Sequence, residues 1–118
     1  MSFSGVLKEI VEKVDGAVSS LIIGSDGIPV EEYATEKLLN LEDLGAESSG
    51  MIREVNLAAE NLGLGDAQEF SIISDRCGII MRRINSEYYL ALIITPDGNF
   101  GKARFVLRTT IPRIEGEF

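Results

Sequence analysis

The segment Glu42–Gly63, EDLGAESSGMIREVNLAAENLG, decides how the rest of the chain is read. Leu44, Ser48, Met51, Val55, Ala58 and Leu62 recur at steps of three and four, which places them in one row along a helix. This row is expected to cover a core. A second row beside it, Gly45, Ser49, Ile52, Asn56, Ala59 and Gly63, has the same spacing and is built mostly from small residues. One apolar stripe is enough to dock a surface helix on its own sheet. Two adjacent stripes imply two neighbours, and small side chains let helix axes approach closely. The chain offers no other long helix for that seam, so a second copy is the expected donor. Gly50 and Gly45 each cost the helix roughly 1 kcal/mol against alanine. On this reading Ile52→Arg or Asn56→Arg drives a dimer toward monomer, because a charge is buried without a partner.

Outward from this helix, the punctuation is regular. Before it, Ser2–Val14 has helical periodicity, with Ser2 or Ser4 as a cap and Asp15-Gly16 as the stop. Val18–Ile23 and Ile28–Tyr33 read as two strands joined by the tight turn Ser25-Asp26-Gly27. Pro29 removes a backbone donor, which assigns the second strand to a sheet edge. After the helix, Gly63 and Gly65 are a stop signal, and Glu69–Ser74, Gly78–Ile84 and Tyr88–Thr95 form an antiparallel meander. The last of these, YYLALIIT, is continuously apolar and is expected in the middle of the sheet with material on both faces. A final helix starts near Phe100 and places Ala103, Val106, Leu107, Thr110 and Ile111 inward, with Pro112 marking its end.

The expected architecture is a three-layer α/β/α domain of the α+β type, spanning residues 1–118 as one domain. Its order is helix, two strands, helix, three strands, helix, around a five-stranded antiparallel sheet. The end helices should cover one face and the middle helix the other. The strand carrying Phe70, Ile72 and Ile73 is left as an edge without proline or lysine to blunt it. A two-fold dimer joining both edges and both middle helices would protect it. The expected interface is therefore Gly45, Ser49, Ile52, Asn56, Ala59, Gly63, Phe70, Ile72 and Ile73.

Composition narrows the function. The net charge of −8 opposes general attraction to nucleic acid or to an anionic membrane. The acid is uneven: residues 31–60 hold eight acidic and two basic side chains, residues 100–118 two acidic and four basic. Cys77 is the sole cysteine, no run approaches the ~20 apolar residues of a membrane span, and no signal-peptide core is visible, so a cytoplasmic protein is expected. The chain has no histidine, the commonest general base and metal ligand. Cys77 reads as a buried structural thiol, Asp26 and Asp97 as turn residues, and Asp75-Arg76 as a turn with a surface ion pair. Gly24–Gly27 lacks the lysine of a phosphate loop, and Glu31, Glu32 and Glu36 lack calcium-loop spacing. Arg82 and Arg83 point to opposite faces of one strand, so the inward guanidinium needs a carboxylate or the solvent at the strand end. Solvation at the strand end is the expected outcome. No catalytic residue, metal site or cofactor is expected.

The chain resembles the Roadblock family, which includes dynein roadblock-type light chains and the bacterial GTPase activator MglB. The resemblance rests on the hairpin GAVSSLIIGSDGIPVEEYA from Gly16 to Ala34, the middle helix with Ala58 and Ala59, the meander strand Tyr88–Thr95, and the last helix opening FGKARFVLR at Phe100. It implies a profilin-like roadblock fold and a homodimer, or a pair with a paralogous subunit, with joined middle helices and a continuous sheet. It further implies a platform for a Ras-like (MglA-type) small GTPase that alters hydrolysis without a catalytic residue of its own. Two other readings are an adaptor subunit of a motor or signalling complex with no effect on turnover, and a small-ligand sensor.

Overall fold

A computed structural model describes residues 3–118. The first helix, α1, spans Ser4–Lys13, and its cap is not the expected serine. Ser4 lies inside the helix and Ser2 outside the described residues. The cap position is held by Phe3, with no side-chain cap bond. Aromatic packing anchors this end instead: Phe3 stacks on Phe118 at 5.0 Å, and Phe118 meets Tyr88 at 4.8 Å. Gly16 follows at φ +87°, and its Cα lies against the backbone of Gly98, where a side chain has no room.

Strands β1 (Ala17–Gly24) and β2 (Pro29–Ala34) form the hairpin. Its turn closes through Gly27 at φ +88° and through Asp26, whose Oδ1 accepts from the Ile28 amide at 3.0 Å. Helix α2 spans Leu41–Asn61, capped by Asn40, whose Oδ1 accepts from the Asp43 amide. Then come β3 (Glu69–Ile73), β4 (Gly78–Arg83) and β5 (Tyr88–Ile94). Helix α3 covers Phe100–Ile114 and leads into a short 3-10 turn, Glu115–Glu117. Pro112 does not end α3. It sits in the last turn, where it forfeits the single amide hydrogen bond back to the Arg108 carbonyl, and the helix continues far enough to bury Ile114 at 2% exposure.

All strand pairs are antiparallel, in the order β2-β1-β5-β4-β3. Pro29 therefore lies on an edge strand, and β5 is central. Side-chain alternation along β5 feeds two cores. Leu90, Leu92 and Ile94 join Leu7, Ile10, Val106 and Leu107 under α1 and α3. Tyr89, Ala91 and Ile93 join Leu44, Ile52, Cys77 and Met81 under α2. Each fully buried leucine or isoleucine contributes roughly 1.5–3 kcal/mol, so the strand that feeds both layers is the principal source of cohesion.

The sheet also disposes of its arginines. Arg82, on the α3 face, pairs with Glu69 at 3.5 Å, and Arg104 of α3 reaches the same carboxylate at 3.6 Å. Arg83, on the α2 face, pairs with Asp66 at 3.6 Å. Both guanidiniums thus pair with carboxylates in place of the expected solvation at the strand end, and Arg82 Nε is left buried without a hydrogen-bond partner among the described residues. Asp75 and Arg76 form a bend, and no ion pair joins them among the described residues.

Candidate docking surface on the second helix and third strand

Helix α2 buries the start of the row expected to cover the core, Leu44 and Ser48, together with Gly45, Ile52 and Ala59 of the row expected to face outward. The reason begins at Gly45. Its Cα and the carbonyl of Gly27 are in such close approach that a Cβ at Gly45 would collide with that carbonyl, and a Cβ at Gly27 would collide with the carbonyl of Gly45. Helix and hairpin turn meet backbone to backbone, which only glycine permits. That contact sets the rotation of the helix. Ile52 then enters the core under α2 at 4% exposure, and the Asn56 amide donates to the Tyr89 hydroxyl at 3.2 Å.

The expected interface residues accordingly divide. Gly45, Ile52 and Ala59 are enclosed by the chain's own sheet and hairpin. Ser49 is half-buried beside Gly27, and Asn56 is half-buried on Tyr89. Gly63, at φ +68°, is exposed in the turn that ends α2. On β3, Phe70 and Ile72 face the α2 side and Ile73 the α3 side, with Ile72 42% and Ile73 56% exposed. The row expected to cover the core faces out beyond Ser48. Met51 and Val55 are half-buried, Ala58 is exposed, and Leu62 is 73% exposed. Leu57 and Leu64 are also exposed, at 47% and 71%.

Met51 and Ile72 connect two shallow grooves between α2 and β3. One, of about 400 Å³, is lined by Leu38, Leu39, Leu44, Met51, Ile72 and Ile79. The other, of about 480 Å³, runs along Gly50, Met51, Val55, Phe70 and Ile72. Glu47 borders both, and Asp43, Arg53 and Glu54 complete the rim. Beyond the groove, β3 pairs only with β4, so the outer side of its backbone ladder is open among the described residues. Apolar side chains beside an open ladder can offer a partner both burial and main-chain hydrogen bonds. The outward row of α2 is itself visible in the sequence, and what the sequence does not give is the direction in which its second half points.

Among the described residues, no group of three His, Cys, Asp or Glu side chains could hold a metal ion. Cys77 is buried at 7% exposure in the α2-side core. Among the described residues, no helix is long and apolar enough to cross a membrane.

An antiparallel sheet with one helix on one face and two on the other defines the class as a three-layer α/β/α domain, here open at β3 beside an apolar helix row. The comparisons agree. The chain is 35% identical to MglC from Myxococcus xanthus, with 100% of each chain covered and a TM-score of 0.72. The Roadblock/LC7 domain from Streptomyces avermitilis superposes with a TM-score of 0.87 at 14% identity, over 99% of this chain and 98% of that one. The gliding protein mglB from Thermus thermophilus gives 0.84 at 22% identity, over 97% and 88%. No protein-family model matches the sequence, and no curated protein does. The full-length likeness to MglC shows that the chain belongs to the Roadblock family.

Proposed function

We propose that this chain is a non-catalytic, self-associating regulatory platform for a Ras-like small GTPase. Membership of a family that contains MglC supports the reading, and the observation that carries it is the apolar groove between α2 and the open β3 edge. A second copy related by a two-fold axis would pair β3 with β3 and set the outward rows of α2, at Met51, Val55 and Leu62, against each other or around a shared partner. This keeps Ile72 and Phe70 of the expected interface and replaces Gly45, Ile52 and Ala59 by the residues that point outward.

A platform changes hydrolysis either by inserting an arginine at the phosphates or by favouring one switch conformation of the GTPase. Arg82 and Arg83 are both held by carboxylates, which supports the second route. That route requires only unequal affinity for two states of the GTPase. The test is single-turnover GTP hydrolysis by the cognate GTPase with and without this protein. A changed rate, together with unequal affinity for the GTP and GDP forms, is expected. Firm binding with an unchanged rate would replace regulation by an adaptor role.

A further inference from the structure

The opposite side of the sheet has a different character. Helices α1 and α3 enclose a cleft of about 370 Å³ whose apolar floor is Ile10 and Val106 and whose wall is Phe105, 53% exposed. Lys13, Lys102 and Arg113 line it as well, and Arg108 lies over the outer face of the Phe105 ring at 5.9 Å. Lys102 and Arg108 have no carboxylate partner among the described residues. One acid already sits in the cleft. Glu9 is gripped by Arg113 at 2.7 Å and Lys13 at 3.1 Å, and the Arg113 hydrogen bond, with Lys13 behind it, holds its carboxyl below the usual carboxylate range.

We infer that the cleft between α1 and α3 is a second docking surface, which takes an acidic segment of a partner protein bearing one aromatic or aliphatic side chain. The floor and Phe105 receive the apolar group, and Lys102 and Arg108 receive the carboxylates that Glu9 does not supply. An anionic bilayer is the poorer fit. A flat surface spanning α1 and the turn after α3 would also meet the exposed Glu12, Glu115 and Glu117. A narrow segment laid along α3 meets chiefly cations. This surface lies across the sheet from α2, so its test does not depend on the GTPase reading.

The test is to pan a random peptide library against the whole protein, counter-selecting with the K102E/R108E variant. The recovered peptides are then measured by fluorescence anisotropy against wild type, K102E/R108E and F105A. The expected peptides are rich in Asp and Glu around a Phe, Leu or Ile. Their affinity should fall with salt and drop by roughly tenfold or more in each variant, as when an anchor or a desolvated charge is removed. Glu54→Lys, on the α2 side, should leave them unchanged. Both charge sites and Phe105 are exposed, and unaltered melting temperatures will establish that the variants fold. Peptides that are not acidic, or that bind the variants as well as wild type, would overturn the inference. So would sedimentation with phosphatidylserine vesicles that the same substitutions abolish while no acidic peptide binds.

Discussion

Met51 and Ile52 are adjacent in sequence and opposite in environment, so substitutions at the two should separate folding from association. Ile52 is 4% exposed, in the cluster with Leu21, Ile23, Met81 and Ile93. Truncation to alanine loses its transfer energy and leaves a cavity, about 2–5 kcal/mol together. With about 2.1 cal/mol/K of unfolding entropy per residue, the 118-residue chain has ~0.25 kcal/mol/K, and the loss corresponds to a fall in Tm of roughly 8–20 °C. Met51 is half-exposed on the groove, beside Glu47 and Glu54. Met51→Arg should change the stability of the isolated chain by no more than about 0.5 kcal/mol, yet place an unpaired cation in the proposed interface. Thermal melts over a range of protein concentrations distinguish the two. Ile52→Ala should lower Tm at every concentration. Met51→Arg should abolish the concentration dependence and leave the dilute-limit Tm in place. An Ile52→Ala variant that melts with wild type, or a Met51→Arg variant that melts as early as Ile52→Ala at all concentrations, would refute the assigned rotation of α2. Ile52→Arg should unfold the chain, not merely dissociate it.

The remaining expectations follow from single contacts. Gly45→Ala gains roughly 1 kcal/mol of helix propensity but drives a methyl into the Gly27 carbonyl, which cannot swing aside, so a net loss of about 1–3 kcal/mol should appear in urea melts. Gly50→Ala, where an added Cβ meets nothing, should stabilise by up to about 1 kcal/mol in the same assay. Glu9 has a folded-state pKa below the ordinary value of 4.5, so its contribution is complete above that pH and is lost as the pH falls through the lowered value. The Tm difference between wild type and Glu9→Gln should therefore be constant near neutrality and shrink on acidification below about pH 4.5. Ile73→Lys, on an exposed edge position, should leave Tm nearly unchanged and reduce aggregation of any monomeric variant, read by light scattering.

Much of this architecture is legible from local chemistry. Pro29 announces an edge because it lacks a donor, YYLALIIT announces the centre because its run is almost wholly apolar, and the inward row of α3 follows from its spacing. The rotation of α2 is not legible in the same way. Two neighbouring rows both satisfy the helical period, the more apolar one is the natural choice for the core, and the choice is instead made by a tertiary contact, Gly45 against Gly27. Small residues there serve an approach between helix and hairpin within one chain. The start of α1 escaped for a related reason, since Phe3 is fixed by Phe118 from the far end of the sequence. The pairing of Arg82 and Arg104 on one carboxylate likewise depends on α3 packing over β4, from where Arg104 reaches Glu69 of β3.

Sedimentation equilibrium of the wild-type chain in the micromolar range, run beside Met51→Arg, probes the proposed surface at its source. The groove between α2 and the bare β3 ladder predicts twice the chain mass for wild type and a single chain mass for the variant. A wild type that stays at one chain mass throughout, or a Met51→Arg variant that dimerises as well as wild type, would contradict it.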